Sequence, residues 1–253
     1  MKLFSFQKLH NSSKQKLFLI PFLFTFGNAL CGFMSVIQSL EENYVLAALF
    51  IVLAAFMDLC DGRLARYFQS TSVLGMELDS LCDAISFCFA PAILLYGWSL
   101  YQLHTAGMIV LGIYLCSGLF RLARFNITSI DHAHTFIGLP TTIAAFFFAN
   151  VVIYEQWLAA SKFSWLVRPE RIAFMVTIIA LLMISSIKFP SIKAVKMRIA
   201  TGGILFICAL IALWSIIKGY PIFLGLVALY IIASFLMSIF REITRSWWKK
   251  FIN

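Results

Sequence analysis

The chain has 253 residues, 62% of them hydrophobic and 12% charged, with 20 Lys and Arg against 11 Asp and Glu for a net charge of +9. Soluble chains average roughly 45–50% apolar and about 25% charged, so the composition argues against a soluble globular domain. The basic excess reads as a topology signal and an attraction to anionic lipid rather than as a nucleic-acid footprint.

Apolar stretches recur at about 20–40, 44–66, 75–98, 105–127, 138–157, 171–188, 199–217 and 220–240. Each is close to the roughly 20 residues that a helix needs to cross a bilayer. Backbone in lipid must satisfy its own hydrogen bonds, so these stretches are expected to be helices. The expected fold is an all-α integral membrane protein, a bundle of about eight transmembrane helices forming one domain over residues 1–253. Lys2, Lys8, Lys14 and Lys16 precede the first span, and no Ala-x-Ala cleavage site follows, so that span is expected to be retained. Lys and Arg then gather at alternate span ends: Arg63 and Arg66, Arg121 and Arg124, Lys188 to Arg198, and Arg241 to Lys250. This alternation puts both termini in the cytoplasm. The six cysteines lie in apolar stretches without a C-x-x-C and read as packing residues.

The first span carries Thr25 and Asn28 on one face, where either a bound ligand or a neighbouring helix would meet them. The second and third carry the unusual feature, four aspartates. Each costs roughly 2.5–3.5 kcal/mol at a span centre, less near its end, and intramembrane carboxylates mark function. Asp58 and Asp61 are three apart and Asp79 and Asp83 four apart, so each pair shares a helix face. A short link makes the two helices antiparallel neighbours, and counting outward from it brings all four carboxylates into one cavity near the cytoplasmic face. Unit charges about 4 Å apart repel by about 4 kcal/mol at an effective dielectric of 20. Protonation or cations must relieve this, and all-oxygen ligands suit Mg²⁺ or Mn²⁺. Two such ions would make a phosphoryl-transfer site. Gly62 and Ala65 leave room for a group to approach, Arg66 suits a phosphate, and Gly75 opens the next helix, where free N–H groups favour anions. An ion-coupled transporter also uses buried carboxylates, but has no need of the phosphate-binding Arg66 at this spacing. Further on, Asp131, His132 and His134 read as a solvated loop rather than a metal site, and Pro91 and Pro140 as kinks or starts of spans.

Together the central residues read Asp58-x2-Asp61-Gly62-x2-Ala65-Arg66-x8-Gly75-x3-Asp79-x3-Asp83. This resembles the signature of the CDP-alcohol phosphotransferase family at every defined position. The resemblance implies a six-helix membrane core, frequent homodimers, and two divalent cations held by Asp58, Asp61 and Asp79. It implies Asp83 as the general base, touching metal as well, and a CDP-lipid site formed by Gly62, Ala65, Arg66 and Gly75. Around the motif stand Thr25-Phe26-Gly27-Asn28, Asp83-Ala84-Ile85-Ser86-Phe87, Arg121-Leu122-Ala123-Arg124-Phe125-Asn126 and Phe136-Ile137-Gly138-Leu139-Pro140. Over about 20–160 these resemble the branch of the family that transfers a phosphatidyl group from CDP-diacylglycerol to L-serine. The resemblance implies an enzyme of phospholipid synthesis with CDP-diacylglycerol and L-serine as partners, and Arg121, Arg124 and Asn126 are candidates for the polar contacts of the acceptor. Glycerol-3-phosphate or an inositol phosphate are the alternative acceptors.

Overall fold

The computed structural model describes residues 12–67, 72–130, 136–160, 164–185, 188–189 and 225. The expected span at 199–217, that at 220–240 apart from Gly225, the 131–135 loop, Lys2 and Lys8, and the C-terminal basic cluster lie outside these residues. Eight α-helices follow in order: α1 (Ser12–Leu40), α2 (Tyr44–Tyr67), α3 (Val73–Asp83), α4 (Ala90–Trp98), α5 (His104–Ile130), α6 (Thr141–Ile153), α7 (Glu155–Ala160) and α8 (Pro169–Ile184). A single π-helical stretch, Ala84–Phe89, joins α3 to α4. Two short strands, β1 (Phe136–Ile137) and β2 (Lys188–Phe189), pair antiparallel among the described residues. The protein is thus an all-α membrane protein. Among the described residues, four helices are long and apolar enough to cross a bilayer, over Phe22–Leu40, Tyr44–Leu64, Val73–Trp98 and Leu100–Ile127, in close agreement with the first four expected stretches.

The next two stretches come out shorter. Pro140 has extended backbone (φ −58°, ψ 134°) and starts α6, and Tyr154 (φ −97°, ψ 16°) ends it after 13 residues. α8 has 16 residues and starts beside Pro169.

Packing follows a seven-residue rhythm. On α1, Thr25, Asn28, Gly32, Ser35 and Ser39 are buried, while Leu23, Phe26, Leu30 and Phe33 are exposed on the outer face. On α2, Ala47, Ile51 and Ala54 are buried, and the same stripe continues through Asp58 to the buried Asp61. Small residues let the two backbones approach closely where lipid offers no hydrophobic drive. The aspartates therefore occupy the inward-facing stripe, carried there by the period that buries the alanines. Glu42, at φ 62°, turns the chain between the two helices.

The kink in the third span has a specific cause. Pro91 has no N–H for the carbonyl of Phe87 four residues earlier, and its ring crowds that carbonyl. The helix widens ahead of it, with the Ala90 N–H donating to Ile85 O, a π-type bond of the sort common near functional sites. The Tyr114 hydroxyl, from the fully buried Tyr114 on α5, donates to the freed Phe87 carbonyl at 3.0 Å. Ser86, inside the widened turn, donates to Asn28 O at 2.8 Å and locks it to α1.

Gly32 is what permits that approach: a Cβ there would overlap Ser86 Oγ and lie 2.8 Å from Ser86 Cα. Gly32→Ala is expected to cost about 1–3 kcal/mol through overpacking, read as a lower melting temperature of the detergent-solubilised protein. Gly27→Ala is the control, because among the described residues its Cβ would meet only Met57 Sδ and Cγ, at an ordinary 3.7 and 3.9 Å.

Candidate active site

The inward stripe of α2 and the first turns of α3 bring Asp58, Asp61 and Asp79 together, with one carboxylate oxygen of each within 4.8 Å of the others. Asp61 is buried and the other two are half-buried. Among the described residues, Asp61 Oδ2 and Asp79 Oδ1 are buried without a hydrogen-bond partner. A buried, unpaired carboxylate oxygen is costly, and two of them aimed into one acidic cluster suit a cation. Oxygen donors alone select a hard ion. The cluster thus fits the divalent metal that its residue types suggest.

Neighbouring elements hold the carboxylates in place. Thr25 of α1 hydrogen-bonds to Asp61. Thr142, at the start of α6, donates to Asp58 Oδ2 at 3.5 Å, the outer limit of such a bond. Asp83 is not one of the three clustered aspartates, although it lies within electrostatic reach of all of them. Instead Asn28 Nδ2 donates to Asp83 Oδ1 at 3.0 Å. The sequence leaves Thr25 and Asn28 between nucleotide contact and helix packing; the structure gives both a third role, orienting the carboxylates.

The residues between the aspartate pairs fare differently. Gly62 is exposed, and a Cβ there would meet nothing within 4 Å among the described residues, so that side of α2 is open. Ala65 and Arg66 ride on the last turns of α2, but their side chains lie outside the described part. The Gly75 N–H is taken by Ser72 Oγ at 3.0 Å, in an N-cap that starts α3. That N–H is therefore not offered to an anion here, and the nearest obstacle to a Cβ at Gly75 is the same Ser72 Oγ, at 3.1 Å, rather than another helix.

The three acceptor candidates also separate. Arg121 is 7% exposed. It donates from Nη1 to Thr141 Oγ1 at 3.1 Å, keeps a buried Nε that has no partner among the described residues, and lies within reach of the charge on Asp83. Arg124 bonds to carbonyls at the end of α8: Nη1 to Ile184 O at 3.0 Å, and Nη2 to Met183 O and Ser185 O at 3.2 Å each. Asn126 accepts from Ser80 Oγ at 2.8 Å and donates to Glu77 Oε2 at 3.4 Å, tying α5 to α3. Thr141 and Thr142 are absent from the sequence reading. Adjacent threonines at a helix start after a proline give no signal until the fold brings them to Arg121 and Asp58.

Comparison with known proteins agrees with this geometry. The family model for CDP-alcohol phosphatidyltransferase matches residues 18–237. A CDP-diacylglycerol–serine O-phosphatidyltransferase of Helicobacter pylori is 33% identical over 221 residues, covering 85% of this chain and 90% of that protein. One of Bacillus subtilis is 34% identical over 174 residues, covering 69% and 91%. An archaetidylserine synthase of Methanothermobacter thermautotrophicus is 31% identical over 175 residues, covering 68% and 70%. With its aspartate cluster in place and the match spanning most of its length, the chain belongs to the CDP-alcohol phosphatidyltransferase family.

Proposed function

We propose that the chain transfers the phosphatidyl group of CDP-diacylglycerol to the hydroxyl of L-serine, giving phosphatidylserine and CMP. The observation that carries this reading is the three-aspartate cluster with two buried, unpaired oxygens, set beside an Asp83 held by Asn28. The serine assignment is supported by the relatives named for that activity.

Asp58, Asp61 and Asp79 would hold Mg²⁺ or Mn²⁺, two ions in all. Bound there, the metal supplies positive charge to phosphoryl oxygens and to the leaving CMP. The open face at Gly62, together with Ala65 and Arg66, receives the CDP portion, and Gly75 shapes the turn opposite. Asp83 takes the proton from the serine hydroxyl. The serine oxygen forms a bond to the phosphorus bearing diacylglycerol as the bond from that phosphorus to the CMP oxygen breaks. The Asn28 amide keeps one oxygen of Asp83 engaged, which fixes the carboxylate so that the other faces the acceptor. Arg121, beside Asp83 with an unpaired Nε, is the cation best placed for the serine carboxylate. Arg124 and Asn126 are engaged elsewhere and leave the acceptor set.

The aspartates lie at the ends of the spans marked by Arg63, Arg66, Arg121 and Arg124. The positive-inside rule then puts the active site and both termini on the cytoplasmic side of the cell membrane. The family resemblance supports one catalytic domain over residues 1–253, working as a homodimer.

Purified protein given CDP-diacylglycerol and Mn²⁺ or Mg²⁺ is expected to release CMP with L-serine, and not with glycerol-3-phosphate or inositol phosphate. Chelation of the metal should abolish release. Release only with a phosphorylated acceptor would keep the chemistry and overturn the serine assignment. Asp83→Asn should lower turnover by at least about 10²-fold, the scale of general-base catalysis, with CDP-lipid binding retained. Turnover at the level of the unmodified enzyme in that variant would remove Asp83 from the base role.

A further inference from the structure

We infer that Arg124 is a positioning residue, a latch that pins the 138–142 strap to the C-terminal end of α8 and so sets Arg121, Thr141 and Thr142 against the aspartates. The inference rests on the reading of Arg121 as the group that faces the acceptor.

The latch begins with a charge problem. Arg121 and Arg124 lie one turn apart on α5, and the charge of Arg124 acts on the buried Arg121 guanidinium. The end of α8 resolves it. Carbonyls in the last turn of a helix have no partner within the helix and carry the negative end of its dipole. Arg124 bonds to three consecutive carbonyls there, Met183, Ile184 and Ser185. A planar guanidinium satisfies three acceptors in fixed directions, which a lysine ammonium on a flexible stem does less well.

The strap is pressed onto the same atoms. Gly138 has φ 81°, a conformation that favours glycine; a Cβ there would overlap Met183 O and lie 2.6 Å from Arg124 Nη2. The next residue, Leu139, donates its N–H to Leu182 O at 3.1 Å. Just before it, Phe136 and Ile137 pair with Phe189 and Lys188 beyond α8. The strap is therefore stitched to both sides of the α8 terminus, with Arg124 at the centre. Two residues later the chain delivers Thr141 Oγ1 to Arg121 and Thr142 Oγ1 toward Asp58. A strap released from α8 would let both threonines, and the guanidinium that Thr141 holds, drift from the site.

The latch predicts a defect on the acceptor side from two variants that touch neither substrate. Arg124→Lys and Gly138→Ala, assayed as purified enzyme well below their melting temperatures, should each raise the serine KM by about tenfold and the KM for CDP-diacylglycerol by much less, because the Thr142 bond to Asp58 is already at the outer limit of its range. The double variant should be little worse than either single one, because both break one unit. Arg121→Lys is measured alongside. A serine KM unchanged in Arg121→Lys would sink the acceptor reading itself. A raised serine KM in Arg121→Lys, with Arg124→Lys changing only the melting temperature, would overturn the latch alone. Arg124→Lys and Gly138→Ala effects that multiply would also overturn it, since a direct contact of Arg124 with serine is independent of Gly138. If Gly138→Ala does not fold, Arg124→Gln takes its place: it keeps one donor and one carbonyl bond, and the latch requires a serine KM between those of the parent and Arg124→Ala.

Discussion

Like charge in a medium that solvates it poorly is the constraint on which this structure turns. Asp58, Asp61 and Asp79 bring carboxylate oxygens within 4.8 Å of one another at the mouth of a helical bundle. At an effective dielectric of 20 each close pair repels by about 4 kcal/mol. Protein donors answer only part of this: Thr25 meets Asp61 and Thr142 approaches Asp58, while one oxygen on each of Asp61 and Asp79 has no partner. The arrangement suits the protein half of a metal centre, with the carboxylates of Asp58, Asp61 and Asp79 able to hold a cation.

The scaffold around the cluster holds that geometry through close helix packing. α1 and α2 pack through small residues at a seven-residue repeat, and the repeat itself delivers Thr25, Asn28, Asp58 and Asp61 to the interface. The third span cannot remain a regular helix past Asp83, because Pro91 removes a donor. The widened turn is stabilised from outside by Tyr114 and Ser86. Ser86 closes a loop back to Asn28, the residue that orients Asp83. The π-helical turn and Asp83 are thus joined through one buried asparagine.

Much of the site is legible in sequence because it sits within two adjacent helices. Spacings of three and four fix the faces of Asp58, Asp61, Asp79 and Asp83, and the first four spans end close to where hydropathy puts them. What sequence does not reveal is the division of labour inside the group. Asp83 stands apart from the other three because Asn28, 55 residues away, claims it. Arg121 and Arg124 look equivalent as letters three apart, yet one faces the aspartates and the other faces the carbonyls of α8, 60 residues on. The N–H of Gly75 looks free for an anion until Ser72 takes it. Each difference depends on contacts between elements distant in the chain, which local periodicity does not encode.

The most direct test of the metal-centre account is anomalous diffraction from crystals of the protein grown with Mn²⁺. The account requires anomalous density enclosed by the carboxylates of Asp58, Asp61 and Asp79, lost in Asp61→Asn. Crystals of catalytically competent protein with no such density, or with manganese bound elsewhere, would contradict it.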